Sequence, residues 1–70
     1  MPYCKYLGQN IYELRFTGIE SAVRAIYFFV DSNRVVFTNA FVKKTQKTPQ
    51  NEIQLAINRR KAILEGIKDE

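Results

Sequence analysis

The sequence contains no histidine and no tryptophan, and it has a single cysteine, Cys4. The absence of histidine removes the commonest metal ligand and the commonest general base. One cysteine cannot form an intramolecular disulfide, and Cys4 with scattered acidic residues does not make a metal site. We therefore expect no metal and no other cofactor, and any chemistry must use arginine, lysine, tyrosine, carboxylate or hydroxyl groups.

The chain also lacks an apolar stretch long enough to span a membrane, and no secretory signal precedes the first predicted strand. Together with the lone cysteine, this predicts a protein of the reducing cytoplasm that makes no contact with a membrane. A length of 70 residues is enough for one domain at most, so residues 1–70 are predicted to form a single domain.

Positive charge is concentrated in the second half of the chain. The sequence has 11 lysines and arginines against 7 acidic residues, for a net charge of +4 and an isoelectric point near 9.5. Residues 1–42 contain four bases and three acids, whereas residues 43–70 contain seven bases and four acids. This excess favours a polyanionic partner, with nucleic acid preferred over a membrane surface.

The densest group of bases lies in a short segment, residues 43–47, which we call the basic segment. Lys43, Lys44 and Lys47 fall within it, with hydroxyl and amide side chains between them and no acid. A connection so rich in donors is typical of a phosphate site. A solvated turn that keeps a small protein in solution explains the same residues, and the segment by itself leaves both interpretations open.

Three apolar segments predict an antiparallel meander. Residues 11–16 alternate between two sides, as a half-buried strand does. Residues 23–30 are apolar apart from Arg24, and residues 34–42 are predicted to form a further strand. The connections between these segments are short, which is typical of neighbouring antiparallel strands.

A helix is predicted after the basic segment, with Thr48 as N-cap and Pro49 as the first helical residue. Apolar residues then recur at helical spacing and predict one buried stripe; they are Ile53, Ala56, Ile57, Ile63, Leu64 and Ile67. Residues 59–61 are all basic and are predicted to lie on the solvated side of this helix.

The predicted middle strand is apolar on both of its sides, which one helix cannot cover. Ala25, Tyr27 and Phe29 alternate with Ile26, Phe28 and Val30. Strands of this kind normally lie between two layers. The second layer must come from another copy of the chain, from a different partner, or be replaced by a tolerated exposed patch. We expect self-association or a bound partner.

Three blocks of the sequence resemble RelE/HigB-type toxins of type II toxin–antitoxin systems, in their phage-derived HigB-like branch. Residues 5–8 with residues 11–15 resemble the family's "K-x-L … lyElR" block, and residues 24–28 resemble its "yRilYf" strand. Residues 41–49, FVKKTQKTP, resemble its "FvKKtqktP" signature. The resemblance extends over roughly residues 5–65.

The resemblance implies an α+β fold, a RelE-like antiparallel meander of three to four strands with a C-terminal helix packed on it. Family members normally carry a helical hairpin before the first block, whereas Met1 stands almost directly in front of that block here. We therefore expect the N-terminal helical layer to be absent. The missing hairpin is a candidate for the second layer that the middle strand requires.

The resemblance further implies a ribosome-dependent mRNA interferase that is held silent by a cognate helix-turn-helix antitoxin. RNA would be cleaved by attack of a 2′-hydroxyl on the adjacent phosphate. Arg24 would stabilise charge in the transition state, because an arginine forks onto a phosphate and stays protonated. Lys43 and Lys44 would contact the scissile phosphate and the flanking backbone.

Binding of the RNA backbone would also involve Arg15 on the neighbouring strand and Lys47, and Tyr12 would stack on a base. Each assignment has a structural alternative. Arg24 could form an internal salt bridge to Glu13 or Glu20, Arg15 could be a plain solvent-facing charge, and an aromatic residue on a sheet is more often part of the core. The alternative for the whole chain is a non-catalytic RNA- or protein-binding remnant of such a toxin, which without the hairpin would keep the basic groove and the family fold but lack cleavage.

Overall fold

The computed structural model describes residues 3–17, 22–42 and 47–68 of the chain. These residues form four strands and one helix, in the order β1 (Tyr3–Gly8), β2 (Ile11–Thr17), β3 (Ala22–Asp31), β4 (Arg34–Val42) and α1 (Gln50–Lys68). The strands pair antiparallel in chain order, and the helix packs on one side of the sheet. The predicted α+β meander with a C-terminal helix is therefore confirmed.

Strand β1, which alternation did not reveal, is joined to β2 by a tight turn. Gln9 and Asn10 both have positive φ angles, of 51° and 65°, and Gly8 before them has a φ of 96°. Positive φ at both central residues is what a type I′ hairpin turn requires, and this turn matches the right-handed twist of the flanking strands. The turn pairs Gly8 with Ile11, and an irregularity at Leu7 then shifts the register so that Tyr6 lies opposite Tyr12.

The turn between β3 and β4 is closed by a side chain. The carboxylate of Asp31 accepts a hydrogen bond from the backbone amide of Asn33 at 2.8 Å and another from the guanidinium of Arg34 at 2.8 Å. Both hydrogen bonds hold the pKa of the Asp31 carboxyl below its usual value, and the bond from the Asn33 amide has the larger effect. This short connection sets β4 beside β3, as predicted.

The hydrophobic core lies between the sheet and α1. Its fully buried members come from β2, β3 and the helix: Ile11, Ile26, Phe28 and Ala56. Further apolar residues of the predicted helical stripe pack against this cluster, namely Ile53, Ile57, Ile63 and Leu64. The stripe is confirmed at these positions, and the side chain of Ile67 lies outside the described residues.

Helix α1 starts at Gln50, directly after Pro49. The carbonyl of Pro49 accepts the amide hydrogens of Glu52 at 3.1 Å and Ile53 at 3.2 Å, so the first turn is closed one residue later than predicted. Within the described ranges, no helix combines the length and the hydrophobicity that crossing a membrane demands.

The side of the sheet that faces away from α1 has no covering layer among the described residues, and we call it the open face. Strand alternation and register assign it these residues: Cys4, Tyr6, Tyr12, Leu14, Phe16, Val23, Ala25, Tyr27, Phe29, Val35, Phe37, Ala40 and Val42. Several are large, apolar and exposed, among them Tyr6 at 57% and Phe37 at 54%. The prediction that the middle strand would be apolar on both of its sides agrees with this arrangement.

Candidate nucleic-acid interface

Two of the predicted site residues lie directly opposite each other in the sheet. Arg15 on β2 pairs with Arg24 on β3, on the side of the sheet that carries α1. Arg24 is in turn opposite Phe41, near the end of β4 from which the basic segment continues. Like charges at directly opposed positions destabilise a sheet, so this pair requires a counterion.

Glu13 supplies that counterion. It lies two residues before Arg15 on the same face of β2, and its side chain is fully buried. One of its carboxylate oxygens, Oε1, is 3.2 Å from Nε of Arg15 and 3.2 Å from Nε of Arg24. Only the contact with Arg15 has hydrogen-bond geometry; Arg24 is paired by charge, and its Nε is not aligned with an acceptor.

The second carboxylate oxygen of Glu13 is bound by a residue that is distant in the sequence. The hydroxyl of Thr48, a buried residue just before α1, donates a hydrogen bond to Oε2 of Glu13. Glu13 thus joins β2, β3 and the segment that leads into the helix. We refer to Glu13, Arg15, Arg24 and Thr48 as the arginine–glutamate cluster.

The charges of this cluster do not cancel. An ionised carboxylate offsets one of the two guanidinium charges, which leaves a net charge of +1 in the cluster. The side chains of Arg15 and Arg24 are only 17% and 12% exposed, so salt screens their charge less than it screens a surface residue. The arrangement is suited to attracting a single anionic group such as a phosphodiester.

The described residues on either side of the basic segment lie beside the cluster. Val42, before the segment, pairs with Val23 next to Arg24, and Thr48, after it, contacts Glu13. Lys43 and Lys44 lie outside the described residues, so their contacts with a phosphate stay predictions. Lys47 is described and is exposed.

Tyr12 lies on the opposite side of the sheet from the arginines. Its ring stacks on Tyr27 at 5.5 Å and contacts Tyr6 at 5.1 Å and Phe29 at 5.4 Å. These contacts make it a member of an aromatic group on the open face. The structure therefore does not bring Tyr12 together with Arg15 and Arg24, and an RNA bound by the arginines would not reach it without passing around the sheet.

The contacts described for the arginines of α1 are with residues outside the cluster. Arg59 donates a hydrogen bond to the backbone carbonyl of Thr38 at 2.6 Å, and the guanidinium carbon of Arg60 lies 5.8 Å from the centre of the Phe28 ring. Lys61 is exposed. Arg59 and Arg60 extend over the sheet, as expected of long charged side chains whose stems cover apolar surface.

Sequence reasoning missed the central position of Glu13 and the part played by Thr48. It considered Glu13 only as one of two acids that could neutralise Arg24, and that pairing is present; the other, Glu20, lies outside the described residues. The available signal was strand alternation, which puts Glu13 and Arg15 on one face. Nothing in the sequence pointed to the contact of Thr48 with Glu13, because the two residues are 35 positions apart.

A comparison with protein families supports the resemblance at family level. A family model described as "Phage derived protein Gp49-like (DUF891)" matches residues 1–61. No curated protein and no solved structure gives a significant match. The Gp49-like family is related to the HigB/RelE-like toxins. Because the match extends over most of its length, the chain belongs to the phage-derived Gp49-like family.

Proposed function

We propose that this chain is the toxin component of a type II toxin–antitoxin system and acts in the cytoplasm as a ribosome-dependent mRNA interferase. Membership of the Gp49-like family supports a toxin-like protein. The observation that carries the proposal is the pair of arginines held side by side by one buried carboxylate, with Phe41 opposite Arg24 before the basic segment and Thr48 bound to Glu13 after it.

In the proposed reaction, the 2′-oxygen of the RNA forms a bond to the adjacent phosphorus while the bond from phosphorus to the 5′-oxygen breaks. The 2′-hydroxyl loses its proton and the leaving 5′-oxygen gains one, giving a 2′,3′-cyclic phosphate and a 5′-hydroxyl end. Negative charge builds on the phosphoryl oxygens during this step. Fixed positive groups that face those oxygens stabilise the transition state more than the ground state.

Arg24 is the residue to which we assign this stabilisation. Its Nε faces Glu13, whereas Nη1 contacts only the Val23 carbonyl, at 3.3 Å, among the contacts of the described residues. The terminal nitrogens are therefore the part of the guanidinium that would meet a phosphate. Lys43 and Lys44 would contact the scissile and flanking phosphates, and Arg15 with Lys47 would bind the backbone on either side.

Glu13 is a positioning residue in this proposal rather than the general base. It is fully buried, and both of its oxygens are engaged by protein groups. A base must reach the proton that it abstracts, and this carboxylate does not reach the surface. Proton transfer would fall to a lysine of the basic segment or to water, and a cognate helix-turn-helix antitoxin would keep RNA away from the cluster.

A second candidate function is a non-catalytic RNA- or protein-binding remnant of such a toxin. One observation favours it: Arg15 and Arg24 are largely buried and already paired with Glu13, as arginines in a purely structural ion network would be. In this case the basic segment would still attract a polyanion. No bond in the RNA would be cleaved, because nothing would stabilise the transition state.

The two functions are separated by inducible expression of the chain followed by mapping of mRNA 5′ ends on translating ribosomes. We expect cuts in the ribosomal A site that disappear in Arg24→Ala and in Arg24→Lys, which keeps the charge but loses the fork. The matched control is Arg34→Ala, at the turn between β3 and β4, which should cut normally. Absence of cuts from a folded wild-type chain, shown by circular dichroism, would favour the remnant.

The role of the basic segment is tested by the double variant Lys43→Ala/Lys44→Ala. Removing two phosphate contacts should weaken RNA binding and reduce the slope of log affinity against log salt by about 1.4, at roughly 0.7 per phosphate on single strands. The control is Arg34→Ala/Lys61→Ala, which removes the same charge from exposed positions at the β3–β4 turn and on α1. Equal slopes for the two double variants would contradict the assignment of Lys43 and Lys44.

A further inference from the structure

The open face combines two properties that are rarely found together on an exposed surface. It is rich in large apolar side chains, and none of the described residues assigned to it carries a charge. Four of its rings form a row that crosses all four strands: Tyr6, Tyr12, Tyr27 and Phe37, with successive ring centres 5.1, 5.5 and 5.5 Å apart.

We propose that the open face is the interface of a symmetric dimer, in which the sheets of two copies of this chain pack face to face. The dimer would have four layers, a helix, two sheets and a helix. Sheets that pack in this way lie about 10 Å apart, with the side chains of both inner faces between them. A two-fold axis would bring the aromatic row of one copy against the same row of its partner.

Charge favours a second copy over other occupants. Two chains of net charge +4 repel each other. This repulsion is weakest when the two surfaces in contact are uncharged and the cationic groups lie on the opposite sides of the two sheets. The arginine–glutamate cluster is on the α1 side of each sheet, so it faces away from such an interface. A polyanion would find no cation on the described part of the open face.

The area of the face is close to what a stable dimer needs. Each large apolar residue on this face is between 37% and 57% exposed; these residues are Tyr6, Phe16, Val23, Phe29, Val35, Phe37 and Val42. Taking an aromatic side chain as about 150–250 Å², their exposed surface amounts to roughly 600 Å². A standard interface buries about 800 Å² per partner, and the partly exposed Tyr12 and Leu14 would add to the total.

The proposal is tested by sedimentation equilibrium of the full chain over a range of concentrations. We expect a monomer–dimer equilibrium for the wild type, and monomer at all concentrations for Phe37→Glu and for Phe29→Lys, since each puts a charge into the centre of the interface. Leu55→Glu is the matched control, because Leu55 is also an exposed large apolar residue but lies on the helix. It should dimerise like the wild type.

Cys4 offers an independent readout, because it is an exposed thiol on the open face. Its reaction rate with a thiol reagent should fall as the wild-type concentration rises and should stay constant in Phe37→Glu. Circular dichroism is used to check that each variant is folded. A wild type that stays monomeric overturns the proposal, and so does a dimer that both Phe37→Glu and Phe29→Lys leave intact, which would indicate pairing through a strand edge.

Discussion

The two faces of the sheet are built from the same strands but differ in how they are packed and in the charges they carry. On the α1 side, apolar residues fill a core, and one end carries Glu13, Arg15 and Arg24 in a buried ion network. On the open face the described residues are uncharged, and the row of rings is only partly shielded. Successive side chains of a strand point to opposite faces, so neighbours in the chain serve different surfaces.

Among the described residues of the sheet, charge is sorted by face as well as by sequence region. The helix side can hold buried charge because Glu13 has partners on β3 and before α1. The open face has no such partners, and a charge placed there would be uncompensated in any sheet-to-sheet contact. In our proposals, recognition of a polyanion therefore falls to one side of the sheet and association between chains to the other.

On the side of the sheet that carries α1, the largest loss of stability is expected from removing the buried carboxylate of Glu13. Glu13→Gln would remove the buried carboxylate that pairs with both Arg15 and Arg24, and removing one partner of a buried ion pair costs about 3–5 kcal/mol. We expect a loss of that size in the free energy of unfolding from urea denaturation. Glu65→Gln, an exposed position on α1, should change little. Equal stabilities for the two variants would show that Glu13 does not hold the cluster together.

Two adjacent phenylalanines compare the faces directly. Phe28 is fully buried on the α1 side, whereas Phe29 is 48% exposed on the open face. Phe28→Ala should lower the free energy of unfolding by about 3–5 kcal/mol through lost burial and an unfilled cavity.

Phe29→Ala should cost less than Phe28→Ala at low protein concentration. Its cost should grow with concentration if the open face is a dimer interface, because dimerisation stabilises only chains that pair. Denaturation curves at two concentrations measure both effects. Similar losses for both variants at low concentration would contradict the assigned faces.

The interior of the aromatic row can be followed by titration. Burial raises the pKa of Tyr27 to about 12, with a smaller upward contribution from Cys4. Because the folded pKa is raised, this contribution to stability is complete below about pH 10, the ordinary tyrosine value, and is lost as the pH rises toward 12. Tyrosinate absorbance should show one late-titrating group that Tyr27→Phe removes. Its persistence in that variant would refute the assignment.

The smallest effect is expected at the turn between β3 and β4, which belongs to neither face. The pKa of Asp31 is lowered by the amide of Asn33 and by Arg34. Its stabilising contribution is therefore present above about pH 4, the ordinary aspartate value, and is lost as the pH falls through the lowered pKa. Asp31→Asn should flatten the acid limb of the stability–pH curve slightly. An unchanged limb would show that the turn contributes nothing measurable.

Much of the fold could be predicted from the sequence, because its signals are local. Alternation in residues 11–16, short turns and the apolar spacing behind Pro49 predicted three strands and the helix. Strand β1 was not predicted, since Gln9 in the turn after it has a positive φ, a conformation that glutamine seldom adopts. The candidate site was predictable in its cationic members, Arg15 and Arg24, but not in the way they are held.

The sequence by itself determined which residues of 11–16 and of 23–30 share a face, because strand side chains alternate with a period of two, and it determined the excess of positive charge near the basic segment. Only the tertiary structure decided that Glu13 lies between Arg15 and Arg24 and binds Thr48. Strand register and the path of the chain into α1 set these contacts, and both depend on packing between segments that are distant in sequence. A buried carboxylate keeps such a position only where the folded chain surrounds it with donors.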